Sequence, residues 1–272
     1  MKSSVKKFWG VFFVVTKVKF LKKMRLKKAV LFTGLPGIGL VGKIAVDYML
    51  RQLKAEKIAE ITSDSFPPSV HTKSGLIDLI KDEIFYFKNK SSDFLFLAGP
   101  VQPALDARGF SMAEHYEFAQ AIVDELGKVG VTEIYTLAGL NIGDKRIASE
   151  PKVIIAATNK QLLSDWKKFG VIADRPEGLI SGAAGLLLGV GKDQGMEGAC
   201  LMGETNAKLI YGDQGSAKKI IELLVKKYGF KIDMGKIEKE AKEIEASFSQ
   251  LAKQLEGSQE EEAPQQGLTY VR

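Results

Sequence analysis

The sequence predicts a three-layer α/β/α sandwich on a largely parallel or mixed sheet, with a C-terminal heptad helix appended. Three observations carry that prediction. Short apolar runs alternate with amphipathic stretches through the middle of the 272-residue chain, the pattern of strands separated by helices. Runs such as Phe94-Leu-Phe-Leu-Ala98 are apolar on both faces, as strands covered from both sides must be. The first run passes through a glycine-rich turn directly into a helical pattern, the connection typical of α/β units. With 45% apolar residues, the chain can bury a full core as one large domain or two small ones.

Residues 1–28 form a basic, aromatic arm: ten of the 39 basic residues lie there and no acidic one does. Within it, Phe8-Trp-Gly-Val-Phe-Phe-Val-Val15 is flanked by Lys6, Lys7 and Lys17. The run is too short to cross a bilayer, which takes about 20 apolar residues. A signal peptide would need a longer apolar region and small residues at a cleavage site. An edge strand of the body, or an extension upstream of a start at Met24, fits better than a membrane-surface anchor. Without the arm, residues 29–272 carry 29 basic and 33 acidic side chains. That balance argues against general nucleic-acid binding.

The core domain is expected over 29–232. Strands are predicted at Ala29–Thr33, Lys57–Ile61, Asp93–Gly99, Thr132–Ala138, Lys152–Ala156 and Glu197–Gly203, and an edge hairpin over Leu76–Asn89. Helices are predicted over Ser111–Gly127, with Met112, Tyr116, Ala119, Val123 and Leu126 on one face, and over Gln161–Phe169 and Ser216–Tyr228. The single cysteine, Cys200, lies in an apolar strand. It is expected to be core, consistent with a cytoplasmic protein.

The turn Gly34-Leu-Pro-Gly37-Ile-Gly39-Leu-Val-Gly42-Lys43 admits two phosphate-site readings. Gly37, Gly39 and Gly42 satisfy G-x-G-x-x-G between a strand and a helix, where bare backbone N–H groups attract anions. Gly37 through Lys43 also satisfies the start of a P-loop, but Ile44 stands where a Ser or Thr should hold Mg²⁺. A dinucleotide site also needs an acidic residue at the tip of the next strand. Glu60 and Asp64 bracket that strand without occupying its tip. The alternative is that these glycines only permit a tight turn and close helix packing.

The same run resembles the opening signature of the proteasome assembly chaperone family in its archaeal branch. Further segments agree in order: Phe66-Pro-Pro-Ser-Val70, Gly99-Pro-Val-Gln-Pro103, Ile180-Ser-Gly-Ala-Ala-Gly-Leu-Leu-Leu-Gly189 and Leu201-Met-Gly-Glu-Thr205. The likeness spans about Lys28 to Lys231. It implies a non-catalytic protein that binds proteasome α-subunits or related clients and promotes ring assembly, with no cofactor and no established nucleotide chemistry at the glycine turn. The alternative is a nucleotide-binding enzyme, a dehydrogenase or ATP-dependent ligase, using Gly37, Gly39, Gly42 and Lys43.

From 233 to 256 the apolar residues Ile237, Ala241, Ile244, Phe248, Leu251 and Leu255 recur at alternating steps of four and three. That is the seam of a coiled coil. Of these, Ile237, Ile244, Phe248, Leu251 and Leu255 are the expected contacts between copies in a homo-oligomer. Residues 257–272 have the composition of a solvated tail ending in Leu268, Tyr270, Val271 and Arg272. The ending is similar to the hydrophobic-Tyr-any terminus with which proteasome activators and some assembly chaperones dock between α-subunits, although Tyr270 is third from the end rather than second.

Catalytic constellations are sparse. His71 and His115 are the only histidines and neither belongs to a zinc motif. Ser181 lacks the flanking glycines of a nucleophile elbow. Asp78, Asp82 and Glu83 are expected at a solvated edge, and Asp106 and Arg108 in a loop beyond a strand end. No metal site and no catalytic residue is expected.

Overall fold

A computed structural model describes residues 15–90, 92–103, 112–173, 177–209 and 211–242. Ten strands and five bounded α-helices are found in the described chain, with a further helical stretch over 235–242. The strands are β1 (Thr16–Phe20), β2 (Ala29–Gly34), β3 (Glu56–Ser63), β4 (Val70–Lys73), β5 (Leu76–Leu79), β6 (Asp82–Asn89), β7 (Ser92–Ala98), β8 (Val131–Asn141), β9 (Val153–Ala157) and β10 (Glu197–Thr205). The helices are α1 (Val41–Leu53), α2 (Met112–Val129), α3 (Lys160–Lys167), α4 (Gly182–Asp193) and α5 (Gln214–Tyr228).

Eight strands form one sheet in the order β1-β3-β6-β7-β2-β8-β10-β9. Its centre is parallel: β2 pairs with β7 and β8, and β8 with β10. The outer pairings are antiparallel. β2 is buried along its whole length, because α1 and α5 cover one face and α2 and α4 the other. Phe32, Phe96 and Tyr135 stack across the first face, with Phe230 edge-on to Phe32. Leu31, Leu95, Phe118 and Ile122 fill the second. Burying such aromatic side chains on both faces is the main driving force for this layering. Cys200 is fully buried, and burial pushes its thiol up to about 11.

The three-layer architecture and the expected strands and helices are present, with four corrections. Leu76–Asn89 is not one hairpin. Leu76–Leu79 pairs with Val70–Lys73 in a separate two-stranded sheet, turned by Ser74 and Gly75 at φ of 50° and 79°, both left-handed as a tight hairpin turn requires. Asp82–Asn89 instead lies inside the large sheet between β3 and β7. Alternation marked both runs as strands but carries no information on their partners. Asp82 accordingly is not solvated: it is fully buried.

On α2, Tyr116 is 59% exposed, and the buried stripe runs through His115, Phe118, Ala119, Ile122, Val123 and Leu126. The helix is therefore rotated from the expected face. At the far end, residues 235–242 are helical, but Ile237 is fully buried and packs in the chain's own core with Tyr48 and Phe230 nearby in the cluster. Ala241 is also buried. The first turns of the heptad helix thus dock on the body, and Ile237 is not available to a second copy. Ile244, Phe248, Leu251 and Leu255 lie outside the described residues.

β1 is an edge strand, antiparallel to β3, and Val18 and Phe20 pack beneath α2. A chain beginning at Met24 would lack it. The strand falls one residue beyond the apolar run, of which Phe8–Val14 lie outside the described residues. Among the described residues no helix is long and apolar enough to cross a membrane.

Candidate functional site

The four central parallel strands point their C-terminal ends to one edge of the sheet, the place where α/β proteins bind ligands. The glycine turn lies there. β2 ends at Gly34, a 3-10 turn runs over Ile38–Leu40, and α1 begins at Val41. Gly39 sits at φ 59° and Leu40 at φ 48°, so the chain reverses through two left-handed residues. A Cβ at Gly39 would stand 2.3 Å from Thr205 Oγ1, and one at Gly42 only 1.9 Å from the Leu137 carbonyl. These two glycines let α1 press against β8 and β10. Close packing thus accounts for Gly39 and Gly42, whereas a Cβ at Gly37 meets nothing within 4 Å.

The rest of the nucleotide constellation is dispersed. Lys43 does not turn back toward the glycines; its ammonium pairs with Asp47 at 2.6 Å along α1. Glu60, one candidate for a ribose hydroxyl, accepts from Lys57 at 2.8 Å and faces Lys81 at 3.2 Å. Those two hydrogen-bonding lysines hold its carboxyl below the usual glutamate range. Asp64 follows β3, and its N–H donates to the Val15 carbonyl.

Three of the other signature segments, Gly99–Pro103, Ile180–Gly189 and Leu201–Thr205, meet at the same edge. Gln102 donates from Nε2 to the Pro36 carbonyl at 2.8 Å and accepts at Oε1 from Ala183 N–H at 3.1 Å. It ties the glycine turn to the start of α4, where Ser181 makes no side-chain cap. On the other side, Thr205 Oγ1 donates to Asp213 Oδ2 at 3.0 Å, and Asp213 N–H donates to the Gly39 carbonyl at 2.8 Å. Asp213 also caps α5 by accepting from Ser216 N–H at 2.9 Å. Arg146 closes this group with a two-point contact, Nε to Oδ2 at 2.9 Å and Nη2 to Oδ1 at 3.0 Å. Both partners are buried, at 2% and 0% side-chain exposure. Such a fork spares each charge from standing alone in a low-dielectric interior.

Sequence reasoning missed this pair. Asp213 carried a legible signal as an N-cap three residues before Ser216, but Arg146, in Gly143-Asp-Lys-Arg146, has the composition of a solvated loop.

Asp82 packs against Gly99 so closely that a Cβ there would lie 1.7 Å from its Oδ1. Neither carboxyl oxygen makes a hydrogen bond of full geometry with a described residue, the Val101 backbone supplying a weaker one. Burial drives its pKa well above the ordinary value, with the Val101 backbone and the Lys43 charge opposing that only in part.

Beside α1, a cavity of about 760 Å³ lies between Lys43, Asp47 and Arg51 on the helix and His71, Lys73 and Leu76 on the hairpin. His115 is buried on α2, remote in sequence from any cysteine. Among the described residues no group of three or more His, Cys, Asp or Glu could hold a metal ion. The tail residues Leu268, Tyr270, Val271 and Arg272, and Asp106 and Arg108, lie outside the described residues.

Comparison with known proteins gives concordant results. The model of the PAC2 family matches residues 31–252. An uncharacterized protein of Methanocaldococcus jannaschii, MJ1210, is 33% identical over 263 residues, covering 95% of this chain and 97% of its own. Among solved structures, Pyrococcus furiosus PbaB, described as an archaeal proteasome activator, superposes with a TM-score of 0.78 at 32% identity, covering 87% of this chain and 98% of its own. Pyrococcus furiosus PbaA, described as an archaeal homolog of proteasome-assembly chaperone, shares the fold at a TM-score of 0.67 and 23% identity, over 89% of this chain and 94% of its own.

Proposed function

The chain belongs to the PAC2 family, and from that premise we propose that it is a non-catalytic, proteasome assembly chaperone-like protein of the cytoplasm. It binds proteasome α-subunits, or related client subunits, and holds them while a ring assembles. The observation that carries this reading is the use made of the signature segments. The glycine turn, Gln102, the start of α4 and Thr205 contact one another and fix the sheet edge. Residues engaged in that way build a scaffold, and a scaffold acts through its surfaces. The close packing at Gly39 and Gly42 and the pairing of Lys43 with Asp47 weigh against the nucleotide-binding enzyme.

In this reading the tail Leu268, Tyr270, Val271 and Arg272 samples client pockets at the high effective concentration a tether provides. Ile244, Phe248, Leu251 and Leu255 join copies into a homo-oligomer. No cofactor takes part. A second reading, an activator of the assembled core particle, is favoured by the 32% identity to PbaB.

Two parallel assays separate the readings. Purified α-subunits mixed with the chain are followed by analytical ultracentrifugation, and assembled core particles mixed with it are followed by peptide hydrolysis. Faster ring formation supports the chaperone, and faster hydrolysis without it supports the activator. The enzyme alternative is tested by calorimetric titration with ATP and NAD. Gly37→Val is the useful variant, because a Cβ there meets nothing within 4 Å. Saturable heat abolished by that change would revive the nucleotide site.

A further inference from the structure

The hairpin of β4 and β5 stands apart from the large sheet and exposes large apolar side chains. Val70 is 48%, Ile77 71% and Leu79 69% exposed. Register places Val70 opposite Leu79 and Thr72 opposite Ile77, so the three share one face. A lone two-stranded hairpin is marginal in water, and an apolar face of this kind marks a covered surface. At its foot lies a second cavity, about 580 Å³, lined by Phe66, Pro67, Val70 and Leu79 on one side and by Asp64 and Lys17 on the other.

The direction of β1 identifies what lies over that face. β1 is antiparallel to β3 with Thr16 opposite Ser63, so the chain upstream of Thr16 heads where β3 leaves the sheet, toward Asp64 and Pro67. Val15, 40% exposed, already accepts a hydrogen bond from Asp64 N–H there. The seven residues before it, Phe8-Trp-Gly-Val-Phe-Phe-Val14, contain no polar side chain. Extended, they reach about 23–25 Å, against roughly 13 Å for a four-residue hairpin strand.

Pro67 and Pro68 offer no N–H, so the attachment is made by side chains rather than by a continued ladder. Lys17 lines the cavity.

We propose that Phe8–Val14 of the same chain lies along this groove and covers Val70, Ile77 and Leu79, closing the hairpin with the chain's own N-terminal arm. The site takes an uncharged aromatic and aliphatic peptide segment and is independent of the assignment of clients.

The two tryptophans supply the test. Trp166 is fully buried, so iodide quenching of the intact protein reports on Trp9. The expected result is a shielded Trp9 that becomes quenchable, with a red-shifted emission, in the Ile77→Asp, Leu79→Asp double variant. Both altered side chains are exposed, and Leu179→Asp, at a 97% exposed position, is to leave the quenching unchanged. In a second measurement, Phe12→Asp with Phe13→Asp speeds amide hydrogen exchange over 70–79.

The proposal is overturned if Trp9 is freely quenched in the unaltered protein, if shielding persists in the hairpin variant, if Leu179→Asp releases it equally, or if exchange over 70–79 does not change. Shielding lost on dilution would assign the groove to another copy's arm. Shielding that appears only with phosphatidylglycerol vesicles would assign the arm to a bilayer. Either of those outcomes also overturns the intramolecular cover.

Discussion

Arg146→Met is the substitution whose effect follows most directly from the geometry. In the unaltered protein the guanidinium meets both oxygens of Asp213 at 2.9 and 3.0 Å, with both side chains buried. Methionine fills a similar volume but leaves the carboxylate, among the described residues, with the Thr205 hydroxyl and the Ser216 backbone N–H as its donors. Breaking one side of a buried pair costs about 3–5 kcal/mol, a large share of the roughly 5–15 kcal/mol that holds a domain folded.

The double variant Arg146→Met with Asp213→Asn separates charge from packing. Asparagine still caps α5 through Oδ1, and its Nδ2, standing in the place of Oδ2, donates to Thr205 Oγ1 instead of accepting from it, while no uncompensated charge remains. Neutral replacement of buried pairs is often nearly free and asparagine caps as well as aspartate, so the double variant is expected to recover all but about 1 kcal/mol, the residual being the hydrogen bond that Arg146 gives the Ser149 carbonyl. Urea unfolding at pH 7, read by far-ultraviolet circular dichroism, measures both. A single variant costing under about 1 kcal/mol would place the pair among solvated ion pairs and refute the burial argument. A double variant as damaged as the single would show that Arg146 acts by shape and not by charge.

Three further outcomes follow from other sites. Gly42→Ala forces a methyl to within 1.9 Å of the Leu137 carbonyl and should lower stability by about 1–3 kcal/mol, while Gly37→Ala, with open space, should stay within about 0.5 kcal/mol; equal effects would mean that α1 does not press on β8. Asp82 has a folded-state pKa raised above its ordinary 3.8, so the folded state binds the extra proton and stability falls as pH rises from that value toward the folded pKa. Asp82→Asn should remove that slope and add about 1–3 kcal/mol near neutrality, and a pH-stability profile identical to that of the unaltered chain would contradict the burial of an unpartnered carboxyl. Ile244→Asp with Phe248→Asp should convert the proposed homo-oligomer to single chains by native mass; an unchanged mass would remove the helix as the joint.

Much of the fold was legible because its signals are local. β2, β7, β8 and β10 announce themselves by apolar runs, and the glycine turn by a spacing that suits both a phosphate and close packing. The close packing at Gly42 and Gly39 is made with Leu137 and Thr205, roughly 100 and 160 residues away in sequence and brought to the turn only by the parallel sheet. The same limit explains the misread run of Leu76–Asn89, whose alternation is genuine but whose two halves pair with different strands. Tyr116 shares a helical face with Ala119, Val123 and Leu126 by spacing, yet it lies at the exposed margin while Phe118 and Ile122 are buried. Ile237 fits both a heptad seam and a core contact, and the body to which it docks is assembled from residues far upstream. Arg146 gave no sign of its burial, since a charge is concealed only when its partner, Asp213, is concealed with it.

The central claim is that this scaffold binds proteasome α-subunits with help from its C-terminal tail. Native mass spectrometry of the chain mixed with α-subunits, with and without residues 264–272, tests it most directly. The account predicts a complex for the full chain that weakens on truncation. A complex indifferent to truncation would contradict the role of Leu268, Tyr270, Val271 and Arg272, and no complex in either case would contradict the claim itself.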